Sequence, residues 1–435
     1  MRPEGLRCLR CDLELPAGRT FGGCPRCRNQ NHPTNLSVVY DETALARAVN
    51  QSRDSSKAPG MWRYRQLLPV DDEDSIVTLG EGDTPLLRVD RIGQKLGIRN
   101  LYVKDESRNP TGSFKDRLAS AAISVALRLG MKVITGSSSG NAGAATAAFS
   151  ASAGLPCVMF TTQQFPLAMK TQMAVLGTYL LAAPTIIDRW ALVEAGVDQL
   201  GWFPVTVFSH PYFGSNCYGI EGYKTIGYEV ADILGDDIDH IVVPVGAGDA
   251  FTGIWKGFKE YAQGGLLDEV PRMHAAEIYG PLEHALANDL EDCIEMPTEG
   301  DPSVAVSVAS NLSTYQALNV LRDTGGGARS ATNEELLQTQ HDLARLEGIY
   351  VETSSALSIA AIPRMVEAGL IDPDSTVVAV LTSSGLKHPE ITDAYLPPIP
   401  STTNLFEDAL TVLEQVYGFD AIGHKTVEMS NGGDS

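Results

Sequence analysis

One lysine, Lys115, stands in the stretch NPTGSFKDR (residues 109–117), where a Pro-Thr-Gly turn gives way to the small-residue run LASAAISVAL. An amine nucleophile forms a Schiff base with a carbonyl group when it is held in a defined direction and away from bulk water. The small residues Gly112 and Ser113 leave room beside that amine for a flat ring. Taken alone, the lysine is also compatible with a solvated helix start, so its chemistry depends on what the rest of the chain places beside it.

A glycine-containing loop, VPVGAGDAFT, follows an apolar run at residue 243. Gly246 and Gly248 let the backbone close around a phosphate at a helix N-terminus, where unpaired N–H groups and the helix dipole favour anions. The loop is not a Walker loop, and Phe251 stands where a third glycine would complete a dinucleotide-binding fingerprint. By itself it is equally compatible with a tight turn that uses glycine for packing.

The stretch GSSSGNAG (residues 136–143) repeats this arrangement with hydroxyl and amide side chains. Ser138 and Ser139 are candidate donors to a carboxylate, and Asn141 is a candidate partner for a ring oxygen. An ordinary helix N-cap would explain the same residues. The three loops together fit an aldehyde, a phosphate and a carboxylate, which indicates pyridoxal phosphate and an amino-acid substrate.

Four of the seven cysteines form two CxxC pairs, Cys8 with Cys11 and Cys24 with Cys27. Paired CxxC motifs are typical of structural zinc sites with four thiolate ligands. We therefore expect residues 1–35 to form a zinc-ribbon-like segment, which is too short to fold by burial alone and would gain stability from the metal. A degenerate motif that keeps its cysteines without binding metal is the alternative.

The composition indicates a globular protein of 435 residues, 43% hydrophobic and 20% charged. The formal net charge of −21 argues against nucleic acid or an anionic membrane as a partner. It is compatible both with a halotolerant host and with a plain solubility feature. No apolar run reaches membrane-spanning length and no signal-peptide core opens the chain, so a cytoplasmic location is expected.

Strand, turn and helix patterns alternate from about residue 78 onward, which predicts an α/β fold with open, mostly parallel sheets. Ligands of such sheets bind beyond the carboxyl ends of the strands. We expect a large cofactor-binding domain from residues 36–118 and 223–400 and a small mobile α/β domain from residues 119–222. Residues 401–435 are predicted to form a C-terminal helix and a disordered tip.

The chain resembles the fold type II pyridoxal-phosphate enzymes, and most closely the threonine synthase family. The resemblance runs from about residue 78 to 390 and rests on motifs in the same order: LGEGDTPLL, LYVKDESRNPTGSFKDR, SSSGNAG, EGYKTIGYEV, VPVGAGDAFTGIWKGF, EGIYVETSSALS and LTSSGLKHP. It implies a tryptophan synthase β-like fold, a lyase or transferase that acts by β/γ-elimination and replacement, and a homodimer. Some members of the family also begin with a CxxC…CxxC segment.

The resemblance also implies a role for each matching residue. Lys115 would hold the cofactor and move protons. Phe114 would lie near the cofactor ring, Asn141 would bond the ring hydroxyl, and Thr382 would face the pyridine nitrogen. The phosphate would be bound by Gly246, Ala247, Gly248, Asp249 and Ala250. The substrate would be contacted by Ser138, Ser139, Gly140, Ala142, Glu352 and Ser355.

Four positions depart from the family pattern. Ala142 replaces a threonine, Gly219 stands at the position of an arginine that binds the substrate phosphate, and Tyr223 replaces a glutamine. Asp249 replaces a glycine in the phosphate loop, so we expect its side chain to cap the helix or face away. Without the arginine, the charge-assisted bonds to a substrate phosphate would be lost.

The departures leave three functions open. O-phosphohomoserine conversion to threonine is the leading one, and an elimination or replacement reaction on a different amino acid is the second. The third is a catalytically inactive binding protein on the same fold.

Overall fold

The computed structural model describes residues 1–52, 59–210, 212–298 and 302–420. Its strands are β1 (Gly5–Cys8), β2 (Glu14–Pro16), β3 (Leu36–Val39), β4 (Leu86–Arg88), β5 (Asn100–Asp105), β6 (Ile134–Ser137), β7 (Cys157–Thr161), β8 (Tyr179–Ala182), β9 (Phe203–Pro204), β10 (His240–Pro244), β11 (Arg272–Glu277), β12 (Ala328–Ser330) and β13 (Thr376–Leu381).

Its α-helices are α1 (Pro25–Asn29), α2 (Glu42–Ser52), α3 (Asp90–Leu96), α4 (Lys115–Arg128), α5 (Asn141–Ser152), α6 (Leu167–Val175), α7 (Ile186–Leu200), α8 (Cys217–Leu234), α9 (Asp249–Gln263), α10 (Pro281–Ala287), α11 (Tyr315–Thr324), α12 (Asn333–Asp342), α13 (Thr353–Ala360), α14 (Ile362–Glu367), α15 (Pro389–Asp393) and α16 (Phe406–Tyr417).

The larger sheet has six strands in the order β12-β11-β10-β13-β5-β4. All neighbouring pairs are parallel except β4 with β5, where Leu87 lies opposite Val103 in an antiparallel edge pair. All five residues of β10 are buried, as expected for a strand covered on both faces by helices. The predicted α/β class is confirmed, and this sheet is built from the two stretches assigned to the large domain.

A second, fully parallel sheet of four strands has the order β8-β7-β6-β9 and lies between residues 134 and 204. It falls inside the segment predicted as the small domain. The described residues up to 389 nevertheless form one compact unit, so the domain boundaries and the mobility of that segment stay predictions.

The N-terminal strands form a third, antiparallel sheet in the order β2-β1-β3. Its apolar side packs with the cysteines against Met61, Trp62 and residues of α4 and α8. The hydroxyl of Tyr218 on α8 also donates to the carbonyl of Gly18 at 3.0 Å. The N-terminal segment therefore packs against α4 and α8 and stabilises their positions.

Helices α4, α8 and α9 pack with very little space between their backbones. A β-carbon at Gly222 on α8 would lie 2.1 Å from the carbonyl oxygen of Arg117, and one at Gly257 on α9 would lie 2.4 Å from that of Lys224. Glycine at these two positions permits the close approach. The packing fixes the N-terminus of α4, and with it Lys115, relative to the loop before α9.

The second compact unit begins at residue 390 and contains the predicted C-terminal helix as α16. The predicted tip, residues 421–435, lies outside the described residues. None of the described helices combines the length and the apolar character that crossing a membrane requires.

Candidate functional site

A cleft of about 340 Å³ opens where the loops after β6, β10 and β13 meet the start of α4. Fourteen of the fifteen residues predicted for the cofactor or substrate line it: Phe114, Lys115, Ser138, Ser139, Gly140, Asn141, Ala142, Gly246, Ala247, Gly248, Asp249, Ala250, Glu352 and Thr382. Ser355 lies directly behind the lining. The fold thus brings together loops that are far apart in the chain, while the role of each residue stays a prediction.

Lys115 is the first residue of α4 and is partly exposed in this cleft. Its Nζ lies 4.4 Å from the ring centroid of Phe114 and 5.6 Å from that of Tyr223, and these two rings stack on each other at 5.3 Å. Burial lowers the pKa of Lys115, while the carboxylates of Asp249 and Glu352 oppose this shift. The lowered pKa favours the neutral amine, which is the nucleophilic form.

The turn before Lys115 is held from both sides. The carboxylate of Asp116 accepts hydrogen bonds from the backbone N–H of Thr111 at 2.7 Å and from its hydroxyl at 2.5 Å. Lys387 donates to the carbonyl of Thr111 at 2.7 Å and to Gln172 on α6 at 2.6 Å. The lysine is therefore presented by a fixed turn.

The loop between β10 and α9 forms a cradle of backbone N–H groups. Gly248 has a φ of +82°, and a β-carbon there would lie 2.4 Å from that of Ala317, so the loop requires glycine. The carbonyls of Gly246 and Ala247 accept from Ser313 and Thr314 at 2.8 and 2.6 Å. Among the described residues, the N–H groups of 246–250 have no acceptor, which suits an anion at the start of the 15-residue helix.

Asp249 does not cap α9. Its carboxylate instead accepts from the backbone N–H of Ser215 at 3.1 Å and from the amide of Gln316 at 2.8 Å. These partners lie outside the helix and hold the carboxylate in place. The capping alternative expected for Asp249 is not seen, and its orientation relative to a cofactor phosphate stays a prediction.

The loop between β6 and α5 forms a second cradle. The hydroxyl of Ser138 accepts from the N–H groups of Gly140 at 3.2 Å and Gly143 at 3.0 Å, so it caps α5 and keeps its own proton free to donate. The N–H groups of Ser139, Asn141 and Ala142 have no acceptor among the described residues. Both functions considered for this stretch, capping and anion binding, are therefore compatible in one structure.

The floor of the cleft is a network of hydroxyl, amide and carboxyl groups. The hydroxyls of Ser355 and Thr382 lie 2.9 Å apart, and Ser355 also accepts from the N–H of Ser383 at 2.8 Å. Asn141 donates to Glu352 at 3.1 Å, and burial raises the pKa of this glutamate. Ser355 thus acts on the cleft through Thr382.

Arg189, on the first turn of α7, also lines the cleft and is not among the site residues predicted from the sequence. It is 7% exposed, and its Nε and Nη1 have no hydrogen-bond partner among the described residues. Arg189 lies on the buried face of α7 together with Val193 and Gly196. Their helical spacing in the sequence is the signal that could have indicated a buried arginine. An arginine on an apolar helix face requires a partner.

Gly219, in contrast, does not line the cleft. It lies within α8, where a β-carbon would be 3.0 Å from Cγ and 3.1 Å from the carbonyl oxygen of Leu118 on α4. The glycine at this position serves helix packing. Position 219 therefore contributes no guanidinium group to the cleft, whereas Arg189 supplies one from another element.

The four N-terminal cysteines form a separate cluster. The Sγ atoms of Cys8 and Cys27 lie 3.6 Å apart, as do those of Cys11 and Cys24, and all four lie within 4.8 Å of one another. The cluster is mostly buried beneath the antiparallel sheet, remote in sequence from every residue of the cleft. Its four thiol groups are a chemically suitable ligand set for a metal ion.

The sequence of the chain is similar to those of known enzymes. Residues 77–383 match the family described as "Pyridoxal-phosphate dependent enzyme". The chain is 35% identical over 390 residues to a threonine synthase of Methanosarcina acetivorans, covering 88% of this chain and 92% of that protein. It is 34% identical over 387 residues to one of Methanocaldococcus jannaschii, covering 88% and 93%.

Solved structures share the fold at lower sequence identity. Maize serine racemase superposes with a TM-score of 0.60 at 18% identity, covering 72% of this chain and 91% of that chain. Threonine deaminase isoform 2 from Solanum lycopersicum gives 0.61 at 19% identity, covering 82% and 89%. These likenesses concern the fold alone.

Proposed function

The chain belongs to the pyridoxal-phosphate-dependent enzyme family and is an enzyme of the threonine synthase type, and on this premise we propose that it converts O-phosphohomoserine and water to threonine and inorganic phosphate. The observation that carries the proposal is Lys115, an amine of lowered pKa that makes no hydrogen bond to the described residues. It lines the same cleft as two loops whose backbone N–H groups have no acceptor among those residues.

The residues of the cleft fit the cofactor. The free N–H groups of residues 246–250 would hold its phosphate at the positive end of α9. Lys115 would bind its aldehyde carbon covalently, and Phe114 would lie beside its ring. Asn141 would bond the ring hydroxyl, and Thr382, oriented by Ser355, would face the ring nitrogen.

The chain's own groups would then hold the substrate and move its protons. The N–H groups of Ser139, Asn141 and Ala142, together with the hydroxyl proton of Ser138, would bind the substrate carboxylate. Lys115 would take the proton from Cα and then one from Cβ as phosphate leaves Cγ. It would return a proton to Cγ, which becomes the methyl group, and after water adds its hydroxyl at Cβ a proton would return to Cα. The bound cofactor supplies an electron sink for the negative charge that develops at Cα.

We also propose that Cys8, Cys11, Cys24 and Cys27 bind one structural zinc ion. Tetrahedral zinc–sulfur bonds of about 2.3 Å place the four sulfurs about 3.8 Å apart, close to the 3.6 Å separations of the two cysteine pairs. Zinc there would stabilise the segment that packs against α4 and α8. Metal analysis of the purified protein and its melting temperature with and without a chelator test this assignment; no bound zinc and an unchanged melting temperature would contradict it.

The proposed reaction is tested by following phosphate release and threonine formation from O-phosphohomoserine with purified holoenzyme. Lys115→Ala is expected to abolish both, and with them the visible absorbance of the covalently bound cofactor. The exposed Lys132, just beyond the same helix, provides the control variant Lys132→Ala, which should retain both signals.

Two outcomes would decide against the proposal. Release of ammonia and a keto acid from another amino acid, without phosphate release, would assign a different elimination reaction to the same cleft. A colourless protein that does not take up the cofactor would remove the enzyme assignment altogether.

A further inference from the structure

Arg189 is a buried cation without a counter-charge. Of the lysine and arginine side chains that line the cleft among the described residues, it is the one that carries a guanidinium group. Among the residues that the structure describes, no carboxylate forms an ion pair with Arg189, and its Nε and Nη1 have no hydrogen-bond partner. Burial lowers its pKa. Since an unpaired buried charge is costly, an arginine in this state indicates that an anion completes the site.

A second polar group without a partner among the described residues lines the same cleft. The hydroxyl of Ser137, at the end of β6, is buried, lines the cleft and has no hydrogen-bond partner among the described residues. Its backbone N–H is already used by the hydroxyl of Thr206 at 2.7 Å. Two unpartnered donors, one of them a guanidinium, are suited to a tetrahedral oxyanion.

The other two anionic groups of the proposed reaction are already assigned to binding groups of the cleft. The cofactor phosphate is assigned to the N–H groups of residues 246–250, and the substrate carboxylate to those of Ser139, Asn141 and Ala142. Both cradles consist mainly of backbone groups. The anion that remains is the phosphate ester of the substrate, which is dianionic and gains most from a bidentate guanidinium.

We propose that Arg189 binds the leaving phosphate of the substrate, with the hydroxyl of Ser137 as a second donor, and thereby selects phosphorylated amino acids. The inference rests on the proposed function. It moves phosphate recognition from α8, where Gly219 is packed against α4, to the first turn of α7.

The test compares wild type with Arg189→Met and Arg189→Lys in steady-state phosphate release and in competitive inhibition by inorganic phosphate. Arg189→Met should raise both the KM for O-phosphohomoserine and the inhibition constant of phosphate about 10- to 100-fold, because charge-assisted bonds are lost. Arg189→Lys should recover part of each loss, since it keeps the charge without the fork. The visible absorbance of the bound cofactor should not change in either variant.

Arg28→Met is the matched control. Arg28 is an exposed arginine whose guanidinium forms a 2.6 Å ion pair with Glu194 on the same helix α7, outside the cleft. Its removal should leave both constants within about twofold of wild type. A KM and an inhibition constant in Arg189→Met that also stay within twofold would overturn the inference.

The anion site can be tested even if the proposed reaction is wrong. If wild-type holoenzyme releases no phosphate from O-phosphohomoserine, thermal stabilisation of the holoenzyme by inorganic phosphate still tests the anion site. Loss of that stabilisation in Arg189→Met but not in Arg28→Met would support phosphate binding by Arg189. Stabilisation that persists in Arg189→Met, or that is missing in wild type, would overturn it.

Discussion

Two buried arginines of this protein have opposite surroundings. Arg117 lies on α4, two residues after the cleft lysine, and is 0% exposed, while Arg189 on α7 is 7% exposed. Arg117 forms 2.7 Å hydrogen bonds with the carboxylates of both Glu106 and Glu229, and Lys104 donates to Glu229 at 2.5 Å. Arg189 has no such partner among the described residues.

Burial of a charged side chain is therefore not in itself a sign of function. The cluster around Arg117 neutralises itself and links α4 to β5 and α8 beneath the lysine turn, so its role is structural. The incomplete pairing of Arg189 is what distinguishes a binding group. Four experiments test this difference between the two arginines.

The largest effect is expected from Arg117→Met. It leaves the carboxylates of Glu106 and Glu229 buried with only Lys104 to compensate them, which should lower the free energy of unfolding by about 3–5 kcal/mol. Urea unfolding of the full-length holoenzyme measures this loss. Arg128→Met on the same helix is the control, because its ion pair with Asp71 is partly exposed and should contribute less than about 1 kcal/mol. Equal losses in the two variants would remove the structural role of the cluster.

The acid stability of the protein should depend on the same cluster. Burial alone would raise the pKa of Glu229, but Arg117 and Lys104 outweigh it and hold this pKa well below its usual range. A carboxylate with a lowered folded-state pKa stabilises the protein above its unfolded pKa of about 4.3, and this contribution is lost as pH falls towards the folded-state value.

The free energy of unfolding of wild type should therefore fall when pH is lowered from 5.5 to about 3.5. The fall should be shallower in Arg117→Met, because the pKa of Glu229 is no longer lowered by Arg117. Denaturant unfolding at several pH values measures both slopes. Parallel slopes would assign the acid sensitivity to other carboxylates.

Gly219→Ala tests whether position 219 serves packing and position 189 serves binding. The added methyl group would meet Leu118 at 3.0 Å, so the variant should lose about 1–3 kcal/mol of stability while its KM for O-phosphohomoserine stays within about twofold of wild type. Gly18→Ala, where a β-carbon has no neighbour within 4 Å, is the control for stability. A strong rise in KM with unchanged stability would instead indicate that position 219 contributes to substrate binding.

The smallest effect on stability is expected from Arg189→Met without phosphate. Removing a buried charge that has no ion-pair partner should not lower the free energy of unfolding and should tend to raise it. Added phosphate should then stabilise wild type but not the variant, because only a ligand-binding native state gains from mass action. A loss comparable to that of Arg117→Met would show that Arg189 has a structural partner.

Much of the fold and the cleft could be predicted because the signals are local. The strand–turn–helix units around Lys115, Gly246 and Ser138 each follow from an apolar run, small turn residues and a helix start, and the structure has them in the expected places. The antiparallel edge strand β4 and the pairing of β3 with β1 were not predicted. Both depend on which strand lies alongside, which a short window of sequence does not specify.

Local sequence is therefore enough to specify three parts of the cleft, a lysine at a helix start and two loops that present backbone N–H groups, each encoded in a few consecutive residues. Only the tertiary structure decided which charges are compensated. Arg117 and Arg189 look alike as single letters of the sequence. In the part of the chain that the structure describes, carboxylates from other elements reach Arg117 and none pairs with Arg189. The energy of a buried charge depends on such distances through space.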